Sequence, residues 1–302
     1  MRLIQRRNLP FKYFRLPFFL QSLSAVVYFG QTTRDMNNTC VSPYQPHAPL
    51  LQPVWDYLLR HEELLLSPYL PASVAFLGHV LMCAPFLLMD VMGSRWTSIH
   101  RYKISGSREE TVCLRLWLSS FLRIFWKYAV YVFPATAVLQ RLRTPEMPTM
   151  APTCWQVFWQ ISSCLFLFDA LFYFWHDAMH RVPWLYFQVH RAHHRNTAVF
   201  AMIAQDSSAS ELLSLQTIAI CCAVLVGCHP LSEIIFHLLN MWMAVEDHCG
   251  YDLPWALHRI VPFFGGAPFH QLHHRRFRGN YAPYFTHWDR LFGTYLEEEE
   301  TP

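Results

Sequence analysis

The sequence is short of charged residues. Aspartate, glutamate, lysine and arginine make up 15% of the chain, whereas an ordinary soluble domain has about 25%. Hydrophobic residues make up 53% and aromatic residues 16%, which is the composition of a membrane protein. The formal net charge of +3 is too small to indicate a nucleic-acid partner.

Motifs for several kinds of redox and metal chemistry are also missing. The sequence has no C-x-x-C pair, no C-x-x-C-H haem attachment site, no iron–sulfur cysteine spacing and no glycine-rich dinucleotide loop. Several of the nine cysteines lie in or beside apolar runs, so we interpret them as buried thiols. The sequence therefore favours neither a disulfide framework nor thiolate ligation. Any reaction that needs electrons would take them from a separate donor.

Histidine, in contrast, is abundant and clustered. Positions i, i+3 and i+4 of a helix lie on one face, so each cluster offers two or three imidazoles toward a common point. A tetrahedral zinc ion takes four ligands, and eight histidines therefore predict two metal ions sharing a site. The alternative is a histidine-rich surface without metal. The clusters are His176-x3-His180, His190-x2-His193-His194 and His270-x2-His273-His274.

Histidine-only ligation suits iron or zinc. A zinc protease needs the motif H-E-x-x-H, but Asp177, Ala178 and Met179 stand between the first two histidines, and hydrolysis is therefore disfavoured. Iron at a membrane surface indicates oxygen activation on a lipid.

Residues 1–47 differ from the rest of the chain. Basic residues precede an apolar stretch from Leu16 to Gly30, the profile of a signal peptide or signal anchor. Asn37-Asn38-Thr39 is an N-glycosylation sequon, so we expect this extension to be lumenal and glycosylated at Asn37.

Long apolar runs predict membrane crossings at Tyr69–Met92 and Cys154–Trp175. The segment Leu116–Gln140 is apolar overall, but Arg123 and Lys127 would be costly inside a bilayer. We therefore expect its first half to lie along the interface, which leaves the number of crossings open. Positive charge after the first crossing marks the cytosolic side.

Two shorter apolar helices follow the second histidine cluster. The first starts at a Ser208-x-x-Glu211 capping box and ends at Gly227, and the second runs from Leu231 to Glu246. Together they predict a hairpin that returns to the side it entered, so the second and third clusters face one compartment. The predicted fold is all-α: a polytopic membrane helical bundle with a cytosolic cap, lined by histidines, that holds two metal ions.

Other residues are candidates near this site. Asp169 shares a helix face with His176 and His180, and we hypothesise that it orients a ligating imidazole; the alternative is a polar residue satisfied by a neighbouring helix. His248 and His287 are candidate additional ligands. His229 and His237 are interpreted as structural, and His258 has no assigned role.

In these clusters, their order and the intervening hairpin, the chain resembles the fatty acid hydroxylase/sterol desaturase superfamily of membrane di-iron oxygenases, especially its members that hydroxylate cholesterol at carbon 25. The eight clustered histidines match the ligand motifs of the superfamily. The resemblance implies that residues 48–302 form an endoplasmic reticulum membrane enzyme with a cytosolic, non-haem di-iron centre. It implies a monooxygenase that forms 25-hydroxycholesterol from cholesterol and O2, with electrons from NADPH through a reductase or cytochrome b5. The resemblance covers residues 48–296, and its most specific stretches are 51–56, 182–186, 227–231, 245–251 and 282–289.

The chain departs from that pattern in two places. Met179 stands where the cholesterol-hydroxylating members have a further histidine, and residues 1–47 have no recognised counterpart. These departures leave other lipid oxidations open: sterol desaturation, methyl-sterol oxidation and fatty-acyl hydroxylation. An alternative function outside the enzymes is that of a non-catalytic sterol- or metal-binding membrane protein.

Overall fold

The structure, a computed structural model, describes residues 48–104, 113–143, 146–195 and 199–297. The predicted lumenal extension, with its signal-anchor profile and Asn37, lies outside the described residues. Within them the fold is all-α, as predicted, and pairing between extended segments is limited to two isolated bridges, Lys103–Tyr251 and Phe264–Phe285.

The principal helices are numbered along the chain. They are α1 (Gln52–Leu59), α2 (Leu70–Met92), α3 (Leu114–Lys127), α4 (Phe133–Arg143), α5 (Cys154–Arg181), α6 (Ala209–Val226), α7 (Pro230–Asp247), α8 (Gly266–Arg276) and α9 (His287–Phe292). Short α-helical turns occupy Glu62–Leu65, Thr97–His100, Pro183–Leu185 and Leu257–Ile260, 3-10 turns occupy Gly93–Arg95, His193–Arg195 and Ala201–Gln205, and π-helical turns occupy Tyr128–Val132 and Tyr186–His190.

Three helical segments in the described chain are long and apolar enough to cross a membrane. They are Leu70–Arg95, Cys154–Arg181 and Ala209–Val226, which confirms two predicted crossings and the first helix of the predicted hairpin as candidate spans. Many of their large apolar side chains, such as Leu81 and Trp159, are exposed in the isolated chain. A lipid environment would cover these side chains at no desolvation cost.

The helical run from α3 through the π-turn to α4 is not among those candidate spans. Its charged residues Arg123 and Lys127 both contact the buried carboxylate of Asp206, with N–O distances of 2.5 and 3.0 Å. The two cations therefore have a protein partner, which reduces the cost of holding them next to apolar helices.

Helices α6 and α7 form the predicted hairpin, and each packs against α5. Gly227 ends α6 in the left-handed region, with φ of 69°, a conformation that strongly favours glycine. The first turn of α6 and the last turn of α7 both contact histidines of the second cluster, through Glu211 and His248. The hairpin therefore returns to the place where it began.

The starts of α5 and α8 position the helices that carry the first and third histidine clusters. Thr153 and Gln156 form a reciprocal capping box at the start of α5, and the last turns of this helix carry the first histidine cluster. Gly266 begins α8 with φ of 64°, and a Cβ there would lie 2.2 Å from Nδ1 of His258. Only glycine allows α8, which carries the third cluster, to approach His258 so closely.

Candidate metal centre

The structure brings all eight clustered histidines together. Helix α5 supplies His176 and His180 from its last two turns, and α8 supplies the third cluster. The second cluster lies on a π-turn ending at His190 and a 3-10 turn that starts at His193. The chain there is an irregular connection between α5 and α6.

The histidines form two neighbouring groups in which the donor atoms lie within 4.8 Å of one another. The rings of His194 and His274, from different groups, have centroids 4.5 Å apart. The five-histidine group consists of His176, His180, His190, His194 and His273, and the four-histidine group consists of His193, His248, His270 and His274.

Each H-x-x-H-H cluster is divided between the two groups, contrary to the expectation that each cluster faces one common point. In α8, His270 and His274 join the four-histidine group, and His273 joins the five-histidine group. Successive helical residues are rotated by about 100°, so i and i+4 stay nearly aligned and i+3 points away from i+4. One cluster of this kind can therefore supply ligands to two ions.

The spacing of the ring nitrogens fits metal ligation. The Nε2 atoms of His176 and His190 are 3.0 Å apart, and those of His190 and His194 are 2.9 Å apart. In the other group, Nε2 of His248 lies 3.2 Å from that of His193 and 2.9 Å from that of His270. Ligands about 2.1 Å from one ion would be separated by about 3.0 Å at right angles and about 3.4 Å in a tetrahedron. Both groups have this spacing.

The environment keeps the imidazoles neutral. Burial lowers the pKa of His273 from 6.5 to about 3, with a further contribution from neighbouring His180, and burial lowers the pKa of His248 to about 4. Neutral imidazole presents a free Nε2 lone pair to a metal at physiological pH. Burial, followed by the charges of neighbouring histidines, also lowers the pKa of His190, His193, His194, His270 and His274.

Backbone carbonyls orient three of the rings. Nδ1 of His176 donates to the carbonyl of Tyr281, and Nδ1 of His273 donates to that of Gly279, each over 2.7 Å. Nδ1 of His248 donates to the carbonyl of Ala244 over 2.7 Å. A proton fixed on Nδ1 leaves Nε2 as the donor atom toward the ion.

A carboxylate orients a fourth ring. Oε1 of Glu211 lies 3.0 Å from Nδ1 of His190, and Glu211 is 2% exposed. The sequence pattern identified Glu211 as part of a capping box, and Ser208 Oγ does accept a hydrogen bond from the Glu211 amide over 3.1 Å. The carboxylate itself turns to His190, a role that the capping pattern concealed.

The structure gives Asp169 backbone partners and places no imidazole of the described residues on its carboxylate, so direct orientation of a ligating imidazole stays a hypothesis. Oδ1 of Asp169 accepts hydrogen bonds from the amides of Tyr284 and Phe285, over 2.8 and 3.2 Å. Asp289 similarly accepts from the amide of Tyr281, over 2.8 Å. The two carboxylates hold the segment whose Tyr281 carbonyl bonds His176, so Asp169 acts on the backbone, at one remove from the histidines.

The other candidate histidines have separate places. His248 is the C-cap of α7 and belongs to the four-histidine group. His287 lies outside both groups, because α9 turns its ring onto Phe166 with centroids 5.7 Å apart. His258, which had no assigned role, contacts Asp252 over 2.8 Å.

The two residues interpreted as structural also differ from each other. His229 caps the start of α7 by accepting from the amide of Leu231 over 3.1 Å, which agrees with a structural role. His237 is half-buried and lines a cavity. This cavity has a volume of about 350 Å³ and reaches His176, His190 and His248, and it is large enough to hold much of a lipid-sized ligand.

Comparisons with known proteins agree with this geometry. Residues 161–294 match the fatty acid hydroxylase family. The chain is 43% identical to a cholesterol 25-hydroxylase-like protein of Danio rerio over 246 residues, which cover 81% of this chain and 97% of the relative. It is 41% identical to the cholesterol 25-hydroxylase of Homo sapiens over 247 residues, which cover 81% of this chain and 90% of the relative.

A more distant relative is the cholesterol 25-hydroxylase-like protein of Caenorhabditis elegans, 31% identical over 257 residues that cover 84% of each chain. No solved structure gives a significant match. The chain belongs to the fatty acid hydroxylase family and, within it, to the group of cholesterol 25-hydroxylases and cholesterol 25-hydroxylase-like proteins.

Proposed function

We propose that the chain is a membrane-bound, non-haem di-iron monooxygenase that hydroxylates a sterol side chain, converting cholesterol to 25-hydroxycholesterol. The observation that carries this proposal is the pair of buried histidine groups at the end of an apolar cavity. The choice of a sterol as substrate and of carbon 25 as the oxidised position rests on the names of the relatives and their identity to this chain.

The five-histidine group favours iron over zinc, whereas the four-histidine group has a ligand number that suits either metal. Five nitrogens in one group exceed the four ligands of a tetrahedral zinc site, and imidazole is a good ligand for iron. The proposed ligands are the eight clustered histidines together with His248. Bound iron would supply the activation of O2 that allows one oxygen atom to enter an unactivated C–H bond.

The protein itself contributes position, orientation and exclusion of water. Glu211 and the carbonyls of Tyr281 and Gly279 hold the ligand rings, so that the donor atoms are fixed before substrate arrives. The apolar cavity would hold the chosen C–H bond beside the histidine groups and keep bulk water away. Which carbon is oxidised then depends on where the cavity stops the substrate.

The reaction consumes one O2, two electrons and two protons, and it yields the alcohol and one water. Because the sequence carries no glycine-rich dinucleotide loop, haem attachment motif or iron–sulfur cysteine spacing, we propose NADPH as the electron source, through a reductase or cytochrome b5. We further propose that the protein resides in the endoplasmic reticulum membrane, with residues 1–47 lumenal, Asn37 glycosylated and the histidine groups on the cytosolic side.

The function is tested in microsomes that contain the expressed protein, NADPH and cholesterol, with oxysterols measured by mass spectrometry. We expect 25-hydroxycholesterol from the intact protein and none from His273→Ala. The control Arg141→Gln changes an exposed residue of α4 and should retain full turnover. Metal analysis of the purified protein should give two iron ions per chain.

Other results would redirect the proposal. If the protein contains iron and consumes O2 but forms no oxysterol, it is an oxygenase with a different substrate. A panel of fatty-acyl and methyl-sterol substrates would then identify the lipid. Two zinc ions per chain and no oxidation product would reject the oxygenase. Glycosylation at Asn37, together with protease sensitivity of the 249–296 region from the cytosolic side, tests the proposed orientation.

A further inference from the structure

The apolar cavity has a second polar end. Arg143 and Glu233 line it, together with His237. The guanidinium donates to both carboxylate oxygens of Glu233, over 2.5 and 2.7 Å, and Nε2 of His237 lies 3.6 Å from the same carboxylate. These three residues, the distal polar cluster, have no contact with the histidine groups.

Two helical faces connect the distal polar cluster to the histidine groups. One face of α7 lines the cavity from Glu233 through Leu238 and Met241 to His248, and this span of 15 residues rises by about 22 Å. The helical run from the π-turn to the end of α4 lines it with Tyr128, Val132, Thr136, Leu139 and Arg143. The cavity therefore extends along most of α7, with a largely apolar lining and polar groups at its two ends.

The chemistry of the distal polar cluster selects a neutral, hydroxyl-bearing ligand. The two bonds to Glu233 use two of the five N–H donors of Arg143, and the carboxylate oxygens keep further acceptor capacity. A hydroxyl group can accept from the guanidinium and donate to the carboxylate at the same time. A fatty-acid carboxylate would instead meet the negative charge of Glu233, and the arginine that would attract it is already paired.

We propose that Arg143, Glu233 and His237 bind the ring hydroxyl of a sterol, so that the far end of its side chain reaches the histidine groups. The inference rests on the proposed function, and it assigns the part of the cavity that selects the substrate class. The separation of about 20 Å between the two polar ends matches a rigid sterol held lengthwise. The reaction at the side chain and the recognition of the hydroxyl then take place at opposite ends of one cavity.

The test is equilibrium binding of radiolabelled cholesterol to the purified full-length protein in detergent. Unlabelled 5-cholestene, which lacks the hydroxyl, and 3-epicholesterol, in which the hydroxyl is inverted, serve as competitors. A hydrogen bond to a charged group distinguishes ligands by about 10- to 150-fold. We expect 5-cholestene to bind at least 10-fold more weakly than cholesterol, and 3-epicholesterol to fall between them.

The informative variant is the double substitution Arg143→Met with Glu233→Leu. Replacing both members of a partly buried ion pair by apolar residues of similar size is often neutral for folding, whereas removal of one member leaves an unpaired charge. The variant should lose most of the preference for cholesterol over 5-cholestene, because only His237 can still contact the hydroxyl and 5-cholestene loses no contact. Arg141→Gln, on the exposed side of α4, should keep the wild-type preference.

Each result has a defined meaning. Equal binding of cholesterol and 5-cholestene to the wild-type protein would overturn the assignment, even if the double variant fails to fold. A double variant that folds and keeps the full wild-type preference would overturn it as well. If the wild-type protein shows the preference but forms no oxysterol, the hydroxyl site stands and the proposed function fails. If neither sterol binds while another lipid is oxidised, the oxygenase stands and the hydroxyl site is rejected.

Discussion

Replacement of Glu211 by alanine tests whether a single carboxylate holds the five-histidine group in its ligating geometry. Glu211 is 2% exposed, and its Oε1 lies 3.0 Å from Nδ1 of His190. Hydrogen bonds to charged groups contribute about 1.5–3 kcal/mol, or about 10- to 150-fold in an equilibrium constant. Loss of such a partner of a metal-binding histidine typically costs 10- to 100-fold in metal affinity. We therefore expect Glu211→Ala to bind iron in this group 10- to 100-fold more weakly.

The assay is iron content of the purified protein after equilibration with a graded series of competing chelators, together with turnover. Glu211→Gln keeps an acceptor oxygen for His190 and should lose less affinity than the alanine variant. The matched control is Ser208→Ala, which removes the N-cap of the same helix and should cost about 1 kcal/mol of stability with iron affinity unchanged.

Two outcomes would refute this reasoning. Wild-type iron affinity in a folded Glu211→Ala protein would show that the carboxylate does not position His190 in solution. An equal loss of iron in Ser208→Ala would show that the start of α6, and not the carboxylate, holds the ring in place.

Four further predictions follow from the same contacts. Asp169→Ala should lower the melting temperature more than Asp169→Asn, because two buried amides lose their acceptor at about 1–3 kcal/mol each; both variants should keep full iron content while folded, and iron loss in the asparagine variant would instead support direct orientation of a ligand. His248→Ala should reduce the iron content from two ions toward one, whereas His287→Ala should leave it unchanged, and equal effects of the two would contradict their different placement. His273→Ala and His274→Ala should each weaken a different ion, so that their combination loses both; a combined loss no greater than that of either single variant, measured as iron per chain, would contradict the division of the third cluster. Removal of iron by chelation should lower the melting temperature, because a ligand held at 100 times its Kd stabilises the folded state by about 2.7 kcal/mol, and an unchanged melting temperature would indicate that the ions do not stabilise the fold.

Much of the fold could be predicted because it depends on patterns within single segments. Apolar runs identify α2 and α5 as candidate spans, and the break at Gly227 identifies the hairpin. Because the second and third clusters flank this hairpin in the sequence, the hairpin brings them to the same side. The distal polar cluster could not be found in this way, because Arg143 and Glu233 are 90 residues apart and meet only through the packing of α4 and α7 around the cavity.

The backbone contacts of Asp169 could not be predicted, for a similar physical reason. Helical periodicity correctly aligns Asp169 with His176 on one face of α5, and both residues are buried. Periodicity cannot tell which neighbouring segment lies opposite each turn of that face. The segment opposite Asp169 presents the amides of Tyr284 and Phe285, and both donate to Oδ1 of this carboxylate.

The clustered histidines can be recognised in the sequence, but the groups that orient their rings cannot. His176, His273 and His248 donate to carbonyls of Tyr281, Gly279 and Ala244, and a carbonyl group is present in every residue type. The identity of a side chain matters one step further away, at Asp289 and Asp169, whose carboxylates accept hydrogen bonds from the backbone at residues 281–285. The Asp289 carboxylate therefore supports the candidate metal centre through the backbone. For this reason we assign the 282–289 stretch to the candidate site, although its own histidine, His287, lies outside both histidine groups.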